Sequence, residues 1–251
     1  MVSSEKLLNA LSAAGRIQRH TLPKEQPDFK GYDIHGSLSS YYKIGGDFYD
    51  FLPHGDKLGI AVADVVGKGL EAALVSSSMH ASLHAFSHTN HNRDVVEIVR
   101  NVDDFLLEHT DDHTYATLVY GELNPDGRFD YCIAGHEPPI VCSNGRAMVV
   151  HQPNFSRANT VLGMFSDADF KDLIEIRGYD LFSLRLKKGD VLVLYSDGLV
   201  DSMGEKGEQV LSDLVAQNHL RSAEQISEEV FAYLQRFRKI DDQTLVVVKR
   251  V

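Results

Sequence analysis

The sequence predicts an α+β fold in which two antiparallel sheets pack together and helices lie outside them. Three observations carry that prediction. Short apolar runs of strand character fall on both sides of two long helical patterns. Several of the strand runs are joined by hairpin-type turns: Gly55-Asp56, Asn124-Pro125-Asp126-Gly127 and Asn144-Gly145. The helices come in blocks instead of alternating with single strands, which argues against a doubly wound parallel sheet.

Taken in order, residues 4 to 20 read as a helix with Leu7, Leu11 and Ala14 on one face and Ser3 or Ser4 as its cap. Pro23, Pro27 and Gly31 then break the pattern. Residues 1–30 are therefore read as a connecting helix and linker, and 31–251 as a compact domain. Three strands follow, "YDIHGSLSS", "GDFYDFL" and "LGIAVADVV", then helices over roughly 68 to 88 and 93 to 109. "TYATLVYGELN", "GRFDYCIAG", "PPIVCS" and "AMVVHQ" read as an antiparallel meander. The stretch 153 to 180 has no regular pattern. "GDVLVLYSDGL" is a strand running into a loop, "SAEQISEEVFAYLQRFRK" a helix with a Ser-x-x-Gln start, and "QTLVVVKRV" a final strand.

The totals limit what such a fold does. With 43% hydrophobic residues in 251, a substantial core is available. A formal charge of -11 argues against a nucleic-acid or anionic-membrane partner. Cys132 and Cys142 make neither a disulfide framework nor a zinc-ligand pattern. With no apolar run of about 18 residues and no signal-peptide core, the expectation is a soluble cytoplasmic protein.

One design recurs in four places: an aspartate at or near the end of an apolar strand, beside glycine or another acid. Asp47 stands in "IGGDFYD", Asp64 in "IAVADVVGKG", Asp197 in "LVLYSDGL" and the pair Asp241-Asp242 in "KIDDQTLVVV". Singly, each reads as a turn, a bulge or a helix cap. If the strand ends converge, four carboxylates meet that cannot all ionise without cations. Mg²⁺ or Mn²⁺ suits such an oxygen set, and a two-metal site implies hydrolysis of a phosphate ester. His80, His84 and His88 lie four apart on a predicted helix, where two could share a metal but three could not. They are read as a partly solvated face.

"IGGDFYDF", "ADVVGKGLEAAL", "AGHEPPIV", "GDVLVLYSDGLVDS" and "DDQTLVVVK" together resemble the metal-dependent protein phosphatases of the 2C type. The likeness is nearest to the bacterial branch of the stage II sporulation protein E phosphatase and the sigma-factor regulator phosphatases. It runs from about residue 31 to 251, and "GRIQRHTLP" resembles the helical lead-in that follows a sensor or receiver in that branch. The resemblance implies an αββα sandwich holding two Mn²⁺ or Mg²⁺ ions. By position, it makes Asp47, Asp64, Asp197 and Asp241 metal ligands, with Asp64 bridging and the Val65 carbonyl completing the set. Asp241 is preferred to Asp242, and Asp50 is given a supporting role, as is His136.

The activity implied is hydrolysis of phosphoserine or phosphothreonine by a water activated between the metals. The implied substrate is an anti-sigma-factor antagonist, with an upstream sensor, receiver or activator and a possible homodimer. The eukaryotic branch holds phosphate with an upstream arginine; here the stretch before Gly45 is "SSYYK", leaving Lys43 or Lys68, or the metals alone. Two enzyme alternatives are poorer matches. A diguanylate-cyclase hairpin would need an acid where Phe48 stands, and a cysteine phosphatase would need arginine at 138 or 148, which are Pro and Met. A non-catalytic regulator on the same fold is the alternative from another class.

Overall fold

The computed structural model describes residues 4–88, 94–152, 160–164 and 178–251. Most of the irregular stretch 153 to 180, like the Leu7 side chain, lies outside the described residues.

Two five-stranded antiparallel sheets face each other. The first has the order β2 (Phe48–His54), β3 (Lys57–Val65), β4 (Ala116–Leu123), β5 (Arg128–Ala134), β8 (Phe182–Arg185). The second has the order β1 (Tyr32–Ser39), β10 (Gln243–Arg250), β9 (Val191–Tyr195), β6 (Ile140–Ser143), β7 (Arg146–Val149). Helices α2 (Leu70–His88) and α3 (Val95–His109) cover the first sheet, and α5 (Gly207–Asn218) and α6 (Ala223–Leu234) the second.

The two-residue alternation of strand side chains builds these layers. In β3, Leu58, Ile60 and Val62 enter the core between the sheets, while Ala61, Ala63 and Val65 meet the helices. In β10, Val246 and Val248 point to the other sheet, and Leu245 and Val247 to α5 and α6. Each fully buried aliphatic side chain of this kind contributes about 1.5–3 kcal/mol. Tyr32 adds a polar tie between the sheets, its hydroxyl donating to the Asn124 carbonyl at 2.9 Å.

Local signals close the elements. Gly55-Asp56 joins β2 to β3, and Asn144-Gly145, both with positive φ, joins β6 to β7. The Ser222 hydroxyl and the Gln225 side chain form a reciprocal capping box on α6.

Three expectations change. The strands from 115 to 152 are not one meander. After β5 the chain leaves the first sheet through Gly135–Pro139, where two prolines cannot donate to a ladder, and β6–β7 joins the second. The segment after β9 is a short helix, α4 (Asp197–Asp201), instead of a loop. Strand β8 and helix α5 were not anticipated; β8 is only four residues long and α5 has no side-chain N-cap.

The first helix, α1 (Ser4–Thr21), lies against the domain. A methyl on Gly15 would sit 2.1 Å from the Lys43 carbonyl oxygen, so glycine there is what lets helix and loop touch. Gln18 grips Gly45 at both ends: its Nε2 donates to the Gly45 carbonyl at 2.7 Å and its Oε1 accepts the Gly45 N–H at 3.1 Å. Among the described residues no helix is long and apolar enough to cross a membrane.

Candidate metal centre

Asp47, Asp64, Asp197 and Asp241 come from different strand ends, and the fold brings those ends to one edge of the sandwich. Asp47 sits just ahead of β2 and is 3% exposed. Its Oδ2 accepts two hydroxyls, Thr244 Oγ1 at 2.5 Å and Ser196 Oγ at 2.7 Å. Those bonds fill that oxygen's lone pairs and leave the other oxygen for neighbours. One neighbour is Asp64, near the end of β3, close enough that the Asp47 charge raises its carboxyl.

Burial, and then the charge of Asp242, pushes Asp47 well above the usual carboxylate range. Burial, then the charges of Asp47 and Asp197, does the same to Asp64. Asp197 begins α4 at the exposed rim; the protein packed around it, with Asp201 and Asp241, raises it as well. Glu137, in the crossover after β5, is pushed up to about 7 by burial and by Glu208, Asp197 and Asp201. Among the described residues, Lys68 is the cation that meets this excess of negative charge. An all-oxygen donor set with that charge fits hard divalent cations.

Asp241 and Asp242 have separate tasks. Asp242 is buried, and its two oxygens accept the backbone N–H groups of Tyr41 at 2.6 Å and Asp47 at 3.3 Å. It braces the loop that delivers Asp47. Asp241 is half-buried, ion-paired with Lys68, and accepts the Asp242 N–H.

The glycines quoted in "IGGDFYDF" serve close approach: a Cβ on Gly45 would lie 2.0 Å from Asp242 Oδ2, and one on Gly46 2.6 Å from the Val65 carbonyl oxygen. Val65 itself is buried, with that carbonyl against the Asp47 loop.

The two lysines diverge. Lys68 lies over the Tyr41 ring at 5.2 Å and donates to the Ile240 carbonyl as well as to Asp241, at the edge of the acidic group. Lys43 turns the other way, its ammonium donating to Ser12 of α1 at 2.7 Å. The structure does not bring Lys43 to the acids, because its loop is pinned to α1.

His80 corrects the reading of a solvated helix face. It is buried, and both His80 and His84 reach Asp50 Oδ2, His80 at 2.6 Å. His88 turns back along the helix, its Nδ1 2.9 Å from the His84 carbonyl. Among the described residues, Asp50, His80 and His84 are the one group of three metal-ligating side chains whose donor atoms all lie within 4.8 Å of one another. The four aspartates adjoin more loosely. His136 is buried with Nδ1 2.7 Å from Thr117 Oγ1, and Thr117 pairs with Asp64 across β3 and β4. Burial lowers it to about 4, so it is a neutral hydrogen-bonding residue.

Sequence reasoning missed Ser196, Thr244 and Glu137. Ser196 and Thr244 flank the acids in "YSDGL" and "DDQT", so the signal available was their adjacency.

Comparison with known proteins bears on the family and the fold. The family model described as Stage II sporulation protein E matches residues 54–251. Phosphoserine phosphatase RsbU of Bacillus subtilis is 28% identical over 98% of this chain and 71% of its own length. Phosphoserine phosphatase RsbP of the same organism is 25% identical over 95% of this chain and 57% of its own. The solved RsbU and RsbW domains of Rv1364c from Mycobacterium tuberculosis superpose with TM-score 0.73 at 30% identity, covering 88% of this chain and 60% of that one. The SiaA-PP2C domain of Pseudomonas aeruginosa has the same fold, with TM-score 0.80 at 20% identity over 98% and 97% of the two chains.

Proposed function

Because the chain belongs to the stage II sporulation protein E family, we propose that it is a divalent-metal-dependent protein serine/threonine phosphatase of bacterial signalling. The observation that carries the reading is the Asp47–Asp64 pair, Asp47 buried and Asp64 half-buried, with both carboxyls held above their usual range, beside Asp197 and Asp241. In this reading Asp47, Asp64, Asp197, Asp241 and the Val65 carbonyl hold two Mn²⁺ or Mg²⁺ ions. When bound, such ions supply Lewis acidity toward a phosphoryl oxygen and lower the pKa of a water.

The chain's own groups do the rest. Ser196 and Thr244 fix one oxygen of Asp47 and so aim the other. Asp242 holds the Asp47 loop by two backbone N–H groups. Lys68, paired with Asp241, is the cation nearest the acids and the group proposed to meet the substrate phosphate. No side chain is needed as a nucleophile: Cys132 and Cys142 are buried in the cores, with thiols pushed up by burial.

RsbU and RsbP are named phosphoserine phosphatases, which supports phosphoserine as the group cleaved. An anti-sigma-factor antagonist is the proposed substrate, an upstream sensor, receiver or activator the proposed input, and the cytoplasm the proposed site of action. The test is release of phosphate from a phosphoserine-bearing antagonist protein with Mn²⁺, and its loss in EDTA. A chain that binds the phosphoprotein but releases no phosphate in Mn²⁺ is the non-catalytic regulator instead.

A further inference from the structure

The Asp50–His80–His84 group lies apart from the acids. Phe48 and Leu52, which share its side of β2, pack among the α2 and α3 residues, so Asp50 faces α2 and not the space between the sheets. We propose that this trio is a second metal site, for a borderline transition-metal ion such as Zn²⁺, joining strand β2 to helix α2.

Three features support it. His80 and His84 are one turn apart on α2, which puts both rings on one face. Their Nε2 atoms converge on one oxygen of Asp50, and the Phe51 N–H holds the other at 2.8 Å, so the carboxylate is aimed before any ion arrives. His80 is held by packing, with Phe48 4.9 Å away; His84 meets it edge-on at 4.9 Å and is stacked by His88 at 5.7 Å on its open side.

The donor set is two imidazole nitrogens and one carboxylate oxygen, which suits Zn²⁺ and its neighbours, whereas the all-oxygen acids suit Mg²⁺ and Mn²⁺. Without an ion, both rings must carry a proton on Nε2 to bond the same oxygen, and one ion takes the place of both protons. Zinc bonds of about 2.0–2.1 Å place neighbouring donor atoms roughly 3.3 Å apart. From the 2.6 Å His80–Asp50 contact the group must therefore open by less than about 1 Å. His84 is placed to give way: its side chain is 44% exposed, against 6% for His80 and Asp50. The same open side leaves room for water as a fourth ligand. The inference does not depend on the phosphatase reading, since none of the three residues belongs to that centre.

The test uses the full chain and four forms: the parent, Asp64→Asn, His84→Ala, and both changes together. Each is stripped of metal, dialysed against Zn²⁺ with excess Mg²⁺, and analysed for bound zinc. Co²⁺ in place of Zn²⁺ reports nitrogen ligation by its visible absorption. We expect one zinc equivalent and the Co²⁺ band to survive Asp64→Asn. On His84→Ala the zinc affinity should fall by at least about tenfold, the loss typical of an outer-shell partner, and the Co²⁺ band should weaken with it. Circular dichroism confirms that His84→Ala is folded, and His80→Gln repeats the test from the buried ligand. Zinc binding that is unchanged by His84→Ala and His80→Gln, or no zinc retained by Asp64→Asn, overturns the proposal and leaves the trio a hydrogen-bonded clasp.

Discussion

Replacing Thr244 by valine separates the hydroxyl from the shape of that residue. Thr244 Oγ1 donates to Asp47 Oδ2 at 2.5 Å, Ser196 Oγ donates to the same oxygen at 2.7 Å, and all three residues are buried. Valine keeps the volume and removes one of the two donors. A hydrogen bond to an ionised group is worth about 1.5–3 kcal/mol, and one to a neutral group about 1 kcal/mol. Asp47 must be ionised to hold a cation, but is held protonated more readily without one. The variant should therefore lose roughly 10- to 150-fold in Mn²⁺ affinity, toward the lower end because Ser196 remains. Unfolding in EDTA should show a loss of only about 1 kcal/mol. Calorimetric Mn²⁺ titration alongside urea unfolding reads both quantities. The Thr244 N–H also donates to Ser196 Oγ at 3.0 Å, so Ser196→Ala and Thr244→Val should combine non-additively. A Mn²⁺ affinity within about twofold of the parent, in a variant that shows the stability loss, would refute the assignment of Asp47 as a ligand.

Asp64→Asn and Asp197→Asn should each lower kcat by orders of magnitude in the phosphoserine assay while circular dichroism stays unchanged. Asp241→Asn should behave like them, whereas Asp242→Asn should chiefly lower the melting temperature, because its oxygens serve backbone N–H groups; equal effects in the two would undo that division. Asp47 is raised from its ordinary 3.8 to about 7, so the folded, metal-free protein binds that proton more tightly than the unfolded chain. Its stability in EDTA should then fall as pH rises from about 4 to about 7, and added Mn²⁺ should offset the loss at the upper end; urea midpoints across that range show the sign. Removing residues 1 to 25 takes away the Gln18 grip on Gly45, two residues from Asp47, and should shift Mn²⁺ affinity and kcat; identical values would make α1 a tether only.

Much of the architecture was legible because side-chain period and turn chemistry are local. The apolar runs in "LGIAVADVV" and "QTLVVVKRV", and the Gly55-Asp56 and Asn144-Gly145 turns, predicted elements the structure contains. What local pattern could not show was which sheet a strand joins: β6 and β7 look like a continuation of β4 and β5 until two prolines divert the chain. The acids were visible as strand-end aspartates. The resemblance preferred Asp241 to Asp242, but the bracing role of Asp242 was not visible, because the N–H groups it holds lie about two hundred residues away. His80 misled for the same reason: a histidine on a helix reads as solvated unless the facing strand is known to carry Asp50.

Among the described residues, strand β1 pairs with β10 and with no other strand of its sheet, although just over two hundred residues lie between them. During synthesis, β2 to β5 and the two helices over them emerge and can begin to pair while β1 waits for its partner. Only when β10 has been made does it slide between β1 and β9, and the same event delivers Asp241, Asp242 and Thr244 to Asp47. A chain that ends ahead of β10 thus lacks Thr244 and the strand that fixes Asp241 and Asp242 beside Asp47, and is expected to be inert. Closing so long a loop last also predicts slow, late acquisition of the site relative to the first sheet.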